Sequence, residues 1–265
     1  MKILLIGNSH AAMLIAAHRA DPRGETLTVF AKPGLEADDI VLDGPVLRAA
    51  SPEMTERLVL LGTPPQVDLA QADAVVIAGL APSVFAAVRL AQGHSVVGWP
   101  SGQAAMARAL QPDVAAPKRP LMSRAAYRAA LAALTETSLA ARLLRGLRAV
   151  SDAPAVFVPQ PYPSEAVLTT DGKYPVFRRI AQGGDGGALA EDLAGAHAAV
   201  LGALPGVTVL SQPADTLRHG CLTAEGCMRA APRLSDSSQQ DVGDVLHGNA
   251  ALGAQLLSGI RAALD

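Results

Sequence analysis

Ser9, Asp244 and His247 are the residues of this 265-residue sequence whose types and spacing suit nucleophilic chemistry. Ser9 lies in Gly7-Asn8-Ser9-His10 near the amino end, and the other two lie in Asp244-Val245-Leu246-His247 near the carboxyl end. A serine hydroxyl is a weak nucleophile until a base takes its proton. An imidazole does this through Nε2 when a carboxylate holds Nδ1, and an Asp three residues before a His in a loop has the reach to hold it. The same residues also fit simpler roles. Ser9 could cap the helix that follows it, and Asp244 with His247 could cap the last one, since Ser, Asn and Asp favour such positions.

The surrounding pattern predicts how these groups are positioned. Lys2 to Ile6 is an apolar run of the kind buried on both faces at the centre of a parallel sheet. Gly7 to His10 breaks it, and Ala11 to Ala20 reads as a helix, so Ser9 falls at a strand-to-helix turn. The N–H groups opening a helix there can stabilise a developing oxyanion. Further strands are predicted at Leu27 to Ala31, Asp73 to Ala78, Ala155 to Val158 and Val207 to Leu210, with a short one at Ser95 to Gly98. Helices are predicted from Pro52 to about Leu61, Ser83 to Ala91, Gly102 to Leu110, Ala188 to Leu204 and Asn249 to Leu264. The longest helical pattern runs from Ser123 to Val150. Residues 35–52 read as mixed, with breaks at Gly44-Pro45 and Ser51-Pro52, 164–182 as irregular, 112–120 as a proline-rich loop, and 211–246 as a long segment without periodicity. Alternating buried strands and helices define an α/β fold with a doubly wound, mostly parallel sheet, in one domain over 1–265. Ligands of such sheets bind beyond the carboxyl ends of the strands. The aperiodic segment leads into His247, which predicts a lid over that edge.

Composition narrows the function classes. Half of the residues are hydrophobic but only 3% are aromatic, so Ala, Leu and Val must build the core. The net charge of −2, with no basic stripe, speaks against nucleic acid as a partner. Arg142, Arg145 and Arg148 form a short row that reads as a solvated helix face. Cys221 and Cys227 have no second pair, and the histidines show no zinc-protease spacing, so reduced thiols and no metal are expected. No cofactor is expected either. Gly7-x-Ser9 lacks the later glycines of a dinucleotide fingerprint, and the Gly183 to Gly187 run lacks a P-loop lysine. The first apolar run is too short for a signal peptide, and no stretch reaches the ~20 apolar residues of a membrane span. A cytoplasmic protein is expected.

Taken with Asn249 and Gly253, Gly7-Asn8-Ser9-His10 and Asp244-x-x-His247 resemble the end motifs of the SGNH (GDSL-like) hydrolases. The resemblance implies a three-layer α/β/α sandwich of flavodoxin-like type. It implies Ser9 as nucleophile, His247 as general base and Asp244 as its orienting carboxylate. The oxyanion would lie on the Ser9 and Gly34 amides, with Gly44 as the alternative glycine. The middle of the pattern departs from the family: in Gly79-Leu80-Ala81-Pro82, Ala81 stands where the family has an oxyanion-binding Asn. One missing donor costs ~10²–10³ in rate. Gln160, just past a strand end, is either a substitute amide donor to substrate or an ordinary loop residue. His10 either lines the substrate pocket or only opens the first helix. The implied activity is that of a serine esterase on a small-molecule acyl ester, such as an O-acyl group on a carbohydrate. An acyltransferase, or a binding protein on the same scaffold with impaired catalysis, are the alternatives.

Overall fold

The computed structural model describes residues 1–111, 118–169, 174–234 and 238–265. Parts of the proline-rich loop, of the irregular stretch 164–182 and of the aperiodic segment therefore lie outside the described residues. Five strands, β1 (Lys2–Gly7), β2 (Thr26–Ala31), β3 (Ala74–Ala78), β4 (Ala155–Val158) and β5 (Val207–Val209), form one sheet. Its order is β2-β1-β3-β4-β5 and every pairing is parallel. That is the flavodoxin-like order, with the first strand central and a change of winding direction beside it.

Alternation along the strands sends side chains to two separate cores. Leu4 and Ile6, with Phe30, Val75, Ile77 and Phe157, pack against α2 (Pro52–Leu60) and α6 (Leu139–Arg148). Ile3 and Leu5, with Val76 and Val156, pack against α1 (Ala11–Ala20) and α9 (Ala250–Leu264). Helices thus cover both faces, giving the α/β/α layering. A third apolar cluster joins α3 (Val84–Ala91), α5 (Arg124–Glu136), α7 (Pro175–Gly183) and α8 (Gly186–Val200) around Tyr127, Phe177 and Leu189. One more helix, α4 (Pro100–Ala109), borders it. Among the described residues no helix is long and apolar enough to cross a membrane.

Several sequence expectations are corrected. The helical pattern over 123–150 is two helices, because Ser138 caps the second: its hydroxyl accepts the Ala141 N–H and donates to the Thr135 carbonyl. Residues 35–52, for which the sequence predicts no element before Pro52, hold strands. Ile40–Asp43 and Val46–Ala49 form a hairpin, extended by Gln66–Asp68, whose Ile40, Leu47 and Val67 close one side of the core. Ser95–Val97 is a strand, but it pairs with Leu121–Ser123 and stands outside the central sheet. The stretch 164–182 contains α7, and α8 begins two residues earlier than predicted, at Gly186. The glycine run has packing reasons of its own. Gly184 ends α7 in the left-handed conformation, and a Cβ on Gly186 would lie 1.9 Å from the His219 carbonyl oxygen. The arginine row, by contrast, does present an exposed face at Arg142 and Arg145, where Arg142 donates to the Ala37 carbonyl and Arg145 pairs with Glu136, while half-buried Arg148 donates to the Ala153 carbonyl.

The two helices that begin at the candidate site lie against each other. A Cβ on Gly253 of α9 would stand 2.1 Å from the Met13 carbonyl oxygen of α1. At an open helix position Gly→Ala gains about 1 kcal/mol. Here overpacking of about 1–3 kcal/mol opposes that gain. Gly253→Ala should therefore lower the denaturation midpoint, and a raised midpoint would contradict this close approach.

Candidate active site

The carboxyl edge of the central strand ends in Gly7, and the chain turns there through Asn8, Ser9 and His10 into α1. Local bonds make this turn without the serine side chain. The Asn8 side chain accepts the His10 N–H at 3.1 Å, and the Asn8 and Ser9 carbonyls accept from Ala11 and Ala12. Asn8 lies flat on Gly79, where a Cβ would approach its amide to 2.8 Å; Gly79 also has φ +71°, so only glycine suits the position.

From 238 positions away in sequence, His247 is brought to this turn, with Nε2 3.0 Å from Ser9 Oγ. Its Nδ1 lies 3.0 Å from Asp244 Oδ2. With Nδ1 protonated, the ring donates to Asp244 and accepts the serine hydroxyl. The Asp244 carboxylate accepts two further N–H groups, from Leu246 at 3.2 Å and His247 at 3.1 Å. Burial works against its charged form. The hydrogen bond and charge of the His247 ring, with those two amides, outweigh burial and hold the carboxyl below its ordinary value.

Neighbouring elements fix the loop that carries this pair. The Val245 carbonyl accepts the Ser164 N–H at 2.8 Å, tying the loop to the exit of β4. Asn249 caps α9, accepting from Ala251 and Leu252, while its amide donates to the Gly226 and Arg229 carbonyls. Asn249, and not Asp244 or His247, therefore starts the last helix. The described part of segment 211–246 is anchored through buried Cys221, Leu222, Met228 and Ala231. Leu217–Arg218 and Leu222–Thr223 form a short hairpin within it. Both cysteines are free thiols, and burial pushes Cys221 up to about 12.

His10 stacks on His247 with ring centroids 4.9 Å apart and planes 24° from parallel. Burial, then the nearby His247 charge, push it down to about 3 against the pull of Asp244. It is a neutral wall against one face of the ring, and its Nδ1 has no hydrogen-bond partner among the described residues. His10→Ala should let the His247 ring move and lower kcat by up to about 10²-fold. An unchanged kcat would mean that the loop alone holds the ring.

The Ser9 and Gly34 N–H groups donate to no acceptor among the described residues. Gly34 lies in the turn after β2, where the Lys32 N–H is bound to the Gly7 carbonyl at 3.2 Å, next to the serine turn. Gly44 belongs to the hairpin that closes the core, away from this edge of the sheet. Ala81 packs against the core shared with α6, and the Leu80 carbonyl before it accepts the Ala140 N–H at 3.0 Å. Gln160 lines a cavity of about 530 Å³ beyond the ends of β3, β4 and β5, and Ser9, Asp244 and His247 are not among its lining residues. Sequence reasoning missed His197, which also lines that cavity. This buried ring lies 2.9 Å from the Pro82 carbonyl and edge-on to Phe157, and burial pushes it down to about 4 despite the Pro82 contact. It was masked by its place in an otherwise ordinary helix. Among the described residues, no three His, Cys, Asp or Glu side chains converge as metal ligands would.

No protein-family model matches this chain, and no curated protein matches it. Among solved structures, the lipase Lip_vut3 from a goat rumen metagenome aligns with 99% of this chain and 97% of its own, at 12% identity and a TM-score of 0.43. A lipase/acylhydrolase from Enterococcus faecalis aligns with 100% of this chain and 97% of its own, at 11% identity and a TM-score of 0.35. Scores this low carry no weight for the activity of this chain, and the fold rests on its own strand order and layering.

Proposed function

We propose that this protein is a serine esterase of the SGNH (GDSL-like) type, acting on a small O-acyl ester through an acyl-enzyme. The observation that supports it is the continuous relay of Ser9 Oγ, His247 Nε2, His247 Nδ1 and Asp244 Oδ2, with 3.0 Å at each step between side chains. Ser9 Oγ attacks the ester carbonyl while His247 Nε2 takes its proton. Asp244 stabilises the resulting imidazolium, and the Ser9 and Gly34 amides receive the oxyanion. Collapse of the tetrahedral adduct expels the alcohol, which leaves with the proton from His247. Water then attacks the acyl group, gives a proton to His247, and that proton returns to Ser9 as the acid departs. Without an amide at Ala81 this oxyanion site has one donor fewer than the family pattern, so turnover should be slow for the class.

Hydrolysis of p-nitrophenyl acetate by the wild-type chain and by His247→Gln tests this reading. The wild type should turn the ester over and the variant should lose most of that turnover, since Ser9 Oγ then has no base to take its proton. Equal turnover by the two would contradict a histidine base. Adding a sugar or glycerol as acceptor separates the two chemical outcomes: the esterase releases free acid throughout, whereas a dominant ester product would reassign the protein as an acyltransferase.

A further inference from the structure

A second cavity, of about 630 Å³, is bordered by α4, α7 and the strand Ser95–Val97. Arg108, Lys118, Arg119 and Arg179 all line it, and Asp185 is the one carboxylate among its described lining residues. Asp185 is already engaged, accepting the Ser101 N–H at 2.9 Å and the Ser101 hydroxyl at 2.6 Å. Four cations against one carboxylate leave a net charge of +3 on this wall, in a chain whose total is −2.

Several arginines elsewhere are neutralised. Arg124 and Arg128 meet Glu191 and Asp192, and Arg261 meets Asp21 and Glu25. None of the four cavity cations forms an ion pair among the described residues. Among the described residues Arg179 donates only to the Gln92 carbonyl, at 3.4 Å. Burial and then the charge of Arg119 push its guanidinium below the ordinary arginine value, against the pull of Asp185. His94 lines the same cavity, and its buried Nδ1 has no partner among the described residues. Like charges gathered in a concave, partly desolvated site repel one another and attract anions.

We propose that this cavity binds a phosphate-bearing small molecule, at a site that shares no lining residue with the Ser9–His247–Asp244 constellation. Guanidinium forks match phosphate oxygens in bidentate pairs. A phosphate ester carries about 1.5–2 negative charges on one group, whereas a carboxylate carries one, so phosphate answers the concentrated charge better. The cavity is larger than a bare phosphate needs, and Val96, Trp99 and Ile180 supply an apolar wall for an organic portion.

Calorimetric titration of the full chain with inorganic pyrophosphate at low ionic strength tests the assignment. Saturable binding is expected, weakened at least about tenfold by Arg179→Gln through loss of charge-assisted hydrogen bonds. The exposed pair Arg108→Glu and Lys118→Glu, which disturbs no packed side chain, should weaken it comparably. Ser9→Ala should leave it unchanged. Absence of saturable binding, or binding that survives both sets of charge changes in folded protein, would overturn the proposal. So would binding lost with Ser9→Ala, which would place the anion at the serine, or citrate binding as tightly as pyrophosphate.

Discussion

Ser9→Ala should lower kcat on an ester substrate by about 10⁶-fold, the scale seen when the nucleophile of a serine triad is removed. KM should change little, because the hydroxyl acts on the reacting carbonyl and not on the rest of the substrate. A residual rate of about 10³–10⁴ over water is expected from the oxyanion amides and from binding alone. The substitution should be nearly silent in stability. The first turn of α1 is closed by the Asn8 side chain and by backbone carbonyls, and the serine hydroxyl is spent on His247 instead. A capping serine would show the opposite result, with about 1 kcal/mol of stability lost and any turnover retained. Parallel thermal melts and initial rates distinguish the two outcomes.

Asp244→Asn is expected to be the next most damaging change, at about 10⁴-fold in kcat. The amide oxygen can still accept the Leu246 N–H, while the His247 N–H loses its acceptor at the Oδ2 position. The amide can also turn its NH₂ toward His247 Nδ1, which favours the tautomer whose protonated Nε2 cannot take the serine proton. The same substitution has a signature in stability. Because the folded-state value of the Asp244 carboxyl is depressed, the group stabilises the fold at pH above its unfolded-state value. That contribution is lost as pH falls through the depressed folded value. Denaturation midpoints of the variant should thus lose part of the wild-type decline in acid. An unchanged acid profile together with full activity would show that the aspartate neither holds the ring nor senses its charge.

The inner strands β1, β3 and β4 were legible because they are buried on both faces, so each appears as a short unbroken apolar run, whereas the edge strands β2 and β5 are partly exposed and carry threonines among their apolar residues. The hairpin Ile40–Asp43 to Val46–Ala49 was not legible, since it covers only one edge of the core and its few residues carry too little alternation to separate from a loop. The break at Ser138 was hidden because apolar spacing continues through it, and the cap acts through a hydroxyl whose role depends on backbone geometry. Helix α7 was obscured by its entry, where Tyr174 adopts φ +58° ahead of Pro175. The site divides in the same way. Ser9, Asp244 and His247 announce themselves by type and order. The stacking of His10 on His247 and the seating of Asn8 on Gly79 exist only once segments distant in sequence are packed together. The cationic cavity left no trace as a basic stripe because its charges come from separate segments around positions 108, 118–119 and 179.

The central claim is that the Ser9 hydroxyl is activated by His247, and one measurement reaches it directly. The intact chain is treated with a fluorophosphonate, weighed by mass spectrometry, and digested to locate the adduct. A single addition on the peptide containing Ser9, absent after His247→Ala, is the expected result. An unmodified chain, or an adduct on any other residue, would contradict it.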